Sequence, residues 1–149
     1  MALAVLESAR LRLRAWDPAA DLAPFSAICA DAEVMRHLGA GEPWTNEQSR
    51  EWMEANVDAM DRHGFCLWAV EAKDSGELLG FSGFRAWEDP GEADLLTPLY
   101  PLEALPGSAA GWRVEVGWRL SRGSWGHGYT TEAAQLALGD GFGRCGFQR

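Results

Sequence analysis

No run in the 149-residue chain approaches the ~18–20 consecutive apolar residues that a membrane-spanning helix needs. The opening Met1-Ala2-Leu3-Ala4-Val5-Leu6 has neither the basic flank nor the cleavage pattern of a secretory signal. Cysteine is scarce, and Cys29, Cys66 and Cys145 are odd in number and widely spaced. They read as reduced thiols of a cytoplasmic protein, and neither as a disulfide framework nor as a zinc site, so no metal is expected. Positive charge is short as well: 13 Lys and Arg face 22 Asp and Glu, for a net charge of −9. That deficit argues against non-specific binding to nucleic acid or to an anionic membrane. It suits a cationic or amine-bearing acceptor, or it serves solubility alone.

What is present is the make-up of an ordinary globular domain, with 47% hydrophobic and 23% charged residues. A chain of this length forms a single domain, 1–149, that buries about 68–70% of its unfolded surface. Its eight tryptophans supply large aromatic walls for a core or a pocket. Most suit the core; Trp44 and Trp87, near loops, are candidates for the wall of an acceptor pocket.

Leu11, Leu13 and Ala15 alternate with Arg10, Arg12 and Arg14, the pattern of a strand with one charged face. Asp17-Pro18 then opens a helix whose apolar stripe is Leu22, Phe25, Ile28 and Cys29. Thr45 and Gln48 have capping-box spacing ahead of a second helix, with Trp52, Met53, Val57 and Met60 on its stripe. His63-Gly64 ends it. Phe65 to Glu71 and Leu78 to Phe84 read as strands joined by the turn Lys73-Asp74-Ser75-Gly76. The Pro- and Gly-containing stretch from Trp87 to Gly111 reads either as one long loop over a functional region or as a linker. Val114 to Leu120 is expected to be a central strand, and Gly128 to about Arg144 a helix.

The segment Trp125-Gly126-His127-Gly128-Tyr129-Thr130-Thr131-Glu132 carries the strongest functional signal. A strand, a glycine turn and a helix start aim backbone N–H groups at an anion. A side chain at Gly126 or Gly128 would stand where a phosphate must lie. Two other phosphate motifs fail: Thr131 holds the third glycine position of a dinucleotide fingerprint, and no Gly-Lys-Ser/Thr follows. Thr130 and Thr131 fit either phosphate binding or local N-capping. Arg122 fits either a phosphate contact or a solvated charge, and His127 faces solvent or the ligand.

Val114-Glu115-Val116-Gly117-Trp118-Arg119-Leu120 followed by Trp125-Gly126-His127-Gly128-Tyr129 and Thr131-Glu132-Ala133 resembles the GNAT superfamily of acyl-CoA N-acyltransferases. Within it, the chain is similar to the RimJ/RimL group of ribosomal-protein N-terminal acetyltransferases. Leu11-Arg12-Leu13-Arg14-Ala15-Trp16 and Gly76-Glu77-Leu78-Leu79-Gly80-Phe81-Ser82-Gly83-Phe84 fit that group in the same order. One departure is Gly123, which holds the first position of the superfamily pattern Gln/Arg-x-x-Gly-x-Gly/Ala, with Arg122 one residue early.

The resemblance implies a mixed α/β fold (α+β), a mostly antiparallel central sheet flanked by helices, and acetyl-CoA as cosubstrate. It implies a further strand, helix and hairpin after Arg149, so the fold is expected to be C-terminally incomplete. The strand at Val114 to Leu120 would then have an open edge, for a second copy of the chain, a swapped element or a loop to cover. The cofactor-binding positions it implies are Val116, Trp118, Arg122, Trp125, Gly126, His127, Gly128, Tyr129, Thr130 and Thr131. A bulge near Gly117 would free a backbone N–H for the thioester carbonyl.

Glu115 is the candidate general base, because an ammonium must lose a proton before or during attack on a thioester. The alternative is a structural glutamate paired with Arg113 or Arg119. Glu132 reads as a helix-start or packing residue. The family's general acid lies on a later helix, and neither Tyr100 nor Tyr129 matches it. The expected activity is acetyl transfer to a primary amine, on a protein N-terminus or a small molecule, by direct attack in a ternary complex. The alternative is a non-catalytic module that binds acyl-CoA or a partner.

Overall fold

The computed structural model describes residues 5–88 and 112–147. Leu6–Glu7 (β1) and Leu11–Arg14 (β2) form a small hairpin, followed by helix α1 (Pro18–Cys29) and the single turn α2 (Ala32–Met35). The long helix α3 (Asn46–His63) precedes strands β3 (Leu67–Ala72), β4 (Leu78–Glu88) and β5 (Trp112–Leu120). A 3-10 turn at Arg122–Ser124 leads into α4 (Tyr129–Phe142). The strands make one sheet in the order β1-β2-β3-β4-β5, and every described pairing is antiparallel. Among the described residues no helix is long and apolar enough to cross a membrane.

Local chemistry sets the helix ends. Asp17 accepts hydrogen bonds from the N–H groups of Ala19 and Ala20, with Pro18 at the first helical position. Thr45 and Gln48 form the expected capping box, and Gly64 closes α3 in the left-handed conformation. β1 and α2 are not apparent from periodicity, because two and four residues are too few to show it. β4 runs four residues beyond the expected Phe84, so Trp87 and Glu88 belong to a strand and not to the loop. β5 supplies the reason: Trp112 to Val116 pair with Glu88 to Phe84. The rest of the expected loop, 89–111, lies outside the described residues.

The sheet is packed on both faces. Trp68 and Val70 of β3 meet Ala133 and Ala137 of α4 on one side, together with Leu11, Leu13, Val114 and Leu120. Leu67 and Ala69, on the alternate positions, meet Phe25 of α1 and Met53 of α3 on the other. β3 is buried along nearly its whole length because it is the middle strand.

The arginines of β2 are tied to carboxylates and are not simply solvated. Arg12 meets Glu7 and Glu71, each at 3.1 Å. Arg14 bonds Glu71 and grips Asp21 with both ends of its guanidinium, at 2.8 and 2.9 Å. Asp21 is 2% exposed and also accepts from the Asp17 N–H. Asp21→Ala removes the two-pronged partner of Arg14, leaving it only Glu71, and the acceptor of the Asp17 N–H, and is expected to cost about 3 kcal/mol in urea unfolding. A loss below about 1 kcal/mol would mean that the pair is screened as a surface bridge is.

Candidate functional site

β5 is the last strand of the sheet among the described residues, and its main chain is directional. The Ser121 N–H donates to the Leu79 carbonyl at 2.8 Å, and the Phe84 N–H donates away from β5, to Cys66, at 3.1 Å. Antiparallel hydrogen bonding alternates by two. With Phe81 opposite Arg119 and Gly83 opposite Gly117, residues 115, 117 and 119 turn their polar groups to β4. Val116 and Trp118 therefore turn theirs to the edge that pairs with no strand among the described residues. The Trp125 indole fits this direction, since it donates to the outward carbonyl of Leu120 at 2.9 Å. The β4–β5 register is unbroken at Gly117. The register shift described in this sheet lies at Val70/Glu71; the bulge expected near Gly117 concerns the pairing of β5 with a further strand, which the described residues do not include.

The turn after β5 is built around two left-handed glycines, Gly126 at φ 78° and Gly128 at φ 79°. These angles by themselves favour glycine. Among the described residues, chain neighbours aside, a Cβ on Gly126 would meet no atom within 4 Å, and on Gly128 only the Arg10 guanidinium at 3.5 Å. The described residues thus leave the space over the turn open. Gly128 is the N-cap of α4, and no side chain caps that end. The Thr130 and Thr131 hydroxyls thus do not serve as caps, and the first N–H groups of α4 remain available to an anion. His127 is exposed, with its ring 5.5 Å from that of Tyr129.

Glu132 holds this helix end in place. Its carboxylate accepts from the Ser8 hydroxyl at 2.7 Å, the Arg10 N–H at 3.0 Å and the Arg10 Nε at 2.8 Å. The Arg10 guanidinium also lies 4.4 Å over the Tyr129 ring. Burial would raise the Glu132 pKa, but the bonds from Ser8 and Arg10 outweigh it and hold the carboxyl below its usual range. Sequence reading identified Glu132 as a packing residue but missed its partners, which lie more than 120 residues away. Arg10 and Lys73 also line a cleft of about 290 Å³ against Tyr129, which places two cations beside the turn.

Arg122 is 60% exposed and meets Asp31, the N-cap of α2, at 3.1 Å. Glu115 is half-exposed and faces Arg85 across the β4–β5 pair, at 3.7 Å. A contact this long between exposed side chains is worth about 0–1 kcal/mol, so it does not lock the carboxylate. Arg119 does not pair with Glu115. It is 9% exposed, lies 4.3 Å over Trp44 and 5.2 Å over Phe81, and donates to Cys29 Sγ at 3.3 Å. The Arg113 side chain lies outside the described residues. Trp44 packs beneath Arg119 and against Trp52. The Trp87 side chain lies outside the described residues.

Trp118 and Trp125, both about half exposed, line a cleft of about 250 Å³ with Leu120, Thr130, Val34 of α2 and His37 just after it. This cleft adjoins the open edge of β5 and the start of α4. No thiol is poised for nucleophilic work. Burial pushes Cys66 up to about 12 and Cys145 up to about 11, and raises Cys29 despite its Arg119 neighbour.

Outward amides on a strand edge, a left-handed glycine turn and an uncapped helix start are groups that could hold a phosphate-bearing ligand. The chain belongs to the GNAT acetyltransferase family: the acetyltransferase (GNAT) domain matches residues 10–149. Members of that family take acetyl-CoA as acyl donor. The chain is 29% identical over 133 residues to the uncharacterized protein YkkB of Bacillus subtilis (strain 168). That match covers 89% of this chain and 65% of the relative, so the chain spans just under two thirds of the relative's length.

Solved structures share the fold. An acetyltransferase from Agrobacterium tumefaciens str. C58 superposes with TM-score 0.70 at 22% identity, over 99% of this chain and 71% of that one. A GNAT family acetyltransferase from Bacillus anthracis gives 0.69 at 20% identity, over 97% and 69%. RimL, the ribosomal L7/L12 α-N-protein acetyltransferase, solved with coenzyme A, gives 0.63 at 17% identity, over 98% and 71%.

The Glu132 anchor gives a pH signature. A carboxyl with a lowered folded pKa contributes stability above its unfolded pKa, near 4.3, and loses it as pH falls through the folded value. The melting temperature of wild type is expected to exceed that of Glu132→Gln by a constant margin above about pH 5.5. The margin closes below about pH 4. A margin that does not change with pH would show that the anchor is not ionic.

Proposed function

We propose that the chain carries the donor-binding and base-bearing part of an acetyl-CoA-dependent N-acetyltransferase. The observation that supports this most is the uncapped start of α4, set beside the outward amides of Val116 and Trp118. In this reading the N–H groups from Gly126 to Thr131 hold the CoA pyrophosphate. Each charge-assisted bond is worth about 1.5–3 kcal/mol, and the helix dipole adds about 0.3–1 kcal/mol. Trp125 and Trp118 flank the pantetheine arm, and an edge amide at Val116 or Trp118 donates to the thioester carbonyl as negative charge develops there. Arg122 reaches the phosphates only by leaving Asp31.

The reaction is a direct transfer. Glu115 takes a proton from the ammonium, directly or through water, and the lone pair of the neutral nitrogen then attacks the thioester carbon. The C–S bond breaks, and the second N–H proton, released as the amide forms, goes to the departing thiolate to give CoA. The high pKa values of Cys66 and Cys145 favour this route over an acyl-cysteine intermediate at those residues. The acceptor class is a primary amine, either a protein N-terminus, as the name of RimL states for that enzyme, or a small molecule. The setting proposed is cytoplasmic, and the open edge of β5 is a candidate surface for a homodimer.

Calorimetric titration with acetyl-CoA is expected to saturate for wild type and to weaken at least tenfold for Gly128→Val, whose Cβ enters the ligand space at an unfavourable φ. No binding by folded wild type would overturn the donor site. Glu115→Gln should leave acetyl-CoA affinity intact while turnover at neutral pH drops about 100-fold. That deficit should shrink at high pH, where the amine is already neutral. Equal turnover at every pH would remove Glu115 from the mechanism.

A further inference from the structure

A second cavity, separate from the donor cleft, lies between α3 and β4. Its volume is about 270 Å³, and its apolar walls are Trp52, Ala55, Ala59, Phe65 and Phe84. Arg85 also lines it, and the same side chain contacts Glu115 at 3.7 Å. The cavity therefore opens beside the proposed base, on a different part of the sheet from the Trp118 and Trp125 cleft.

Its polar groups decide what fits. Both polar atoms of Asn56 are engaged: its Oδ1 accepts from the Leu67 N–H at 3.0 Å, and its Nδ2 donates to the Trp52 carbonyl at 3.1 Å. Burial, with Arg62 nearby, holds the His63 imidazole below its usual range, so it is neutral near pH 7. Arg85 is a cation. No aspartate or glutamate lines the cavity among the described residues. The nearest described carboxylate, Glu115, is engaged by Arg85 and is the base for the reacting amine, so a second ammonium placed here would meet apolar walls and no further carboxylate among the described lining residues. An uncharged aromatic or aliphatic group would instead stack on Trp52, Phe65 and Phe84.

We infer that this cavity is the acceptor pocket, and that it selects a primary amine whose body is apolar over one carrying further positive charges. The inference rests on the N-acetyltransferase reading and narrows its acceptor class. The overall charge of −9 points the other way, towards cationic acceptors, but net charge governs encounter, while the lining of the cavity governs fit.

Ala55 provides the test, because it is exposed on α3 and a larger side chain there reaches over the cavity without invading the core. The full chain is titrated with 2-phenylethylamine and, separately, with spermidine, following tryptophan fluorescence and heat. Wild type should bind the aromatic amine at least tenfold more tightly than spermidine, and Ala55→Phe should lose at least tenfold of that affinity. Acetyl-CoA is titrated in parallel and should bind both proteins equally. Equal or tighter spermidine binding, no aromatic-amine binding, or an Ala55→Phe affinity matching wild type would each overturn the pocket assignment. Failure of acetyl-CoA to bind wild type would instead strike the donor site, so the two claims fail separately.

Discussion

The start of α4 can serve as an anion site only if it is held rigid and left uncapped, and the structure meets both conditions. Glu132, one turn into the helix, is pinned by Ser8 and Arg10 from the β1–β2 corner. The helix end is thereby fixed from the far side of the sheet, which leaves its first N–H groups unobstructed. Gly128 supplies the left-handed turn without offering a side-chain oxygen that would compete for those groups. A serine or aspartate cap would stabilise the helix by about 1 kcal/mol and would occupy the place a phosphate needs. The absence of a cap is thus a local cost in stability that a bound phosphate can offset.

The two faces of the sheet divide the remaining work. α4 packs on one face and brings its N-terminus to the end of β5. α1 and α3 pack on the other, where the aromatic cluster of Trp16, Phe25, Trp52 and Phe81 stiffens the wall beside the second cavity. Glu115 and Arg85 sit across from each other on β5 and β4, near the point where the donor edge and that cavity approach. The donor would come along the strand edge and the acceptor from the α3 side, meeting at the middle of β5. This arrangement needs no nucleophilic side chain, which agrees with thiols that burial keeps protonated.

Much of this was legible in the sequence because the signals are local. Asp17-Pro18, Thr45 with Gln48, and the Gly126/Gly128 pair each act within four residues, and each forms the helix start or turn its spacing implies. The illegible parts depend on distant partners. Nothing near Asp21 announces that it is buried, because its reason is Arg14 on another element. Glu115 finds Arg85 through strand register, and Arg119 finds Trp44 and Cys29 through helix packing. β4 extends past Phe84 because β5 pairs with it, a fact no propensity within residues 85–88 encodes.

The central claim is that backbone amides of the Gly126 to Thr131 turn and the outward edge of β5 hold acyl-CoA. Backbone amide NMR of the nitrogen-15-labelled chain during titration with CoA reads those groups one by one. The account predicts the largest shifts at Gly126, Gly128, Thr130 and Thr131, with smaller ones at Val116 and Trp118, and little change on α1. Shifts confined to other surfaces, or none at saturating CoA with the fold intact, would contradict it.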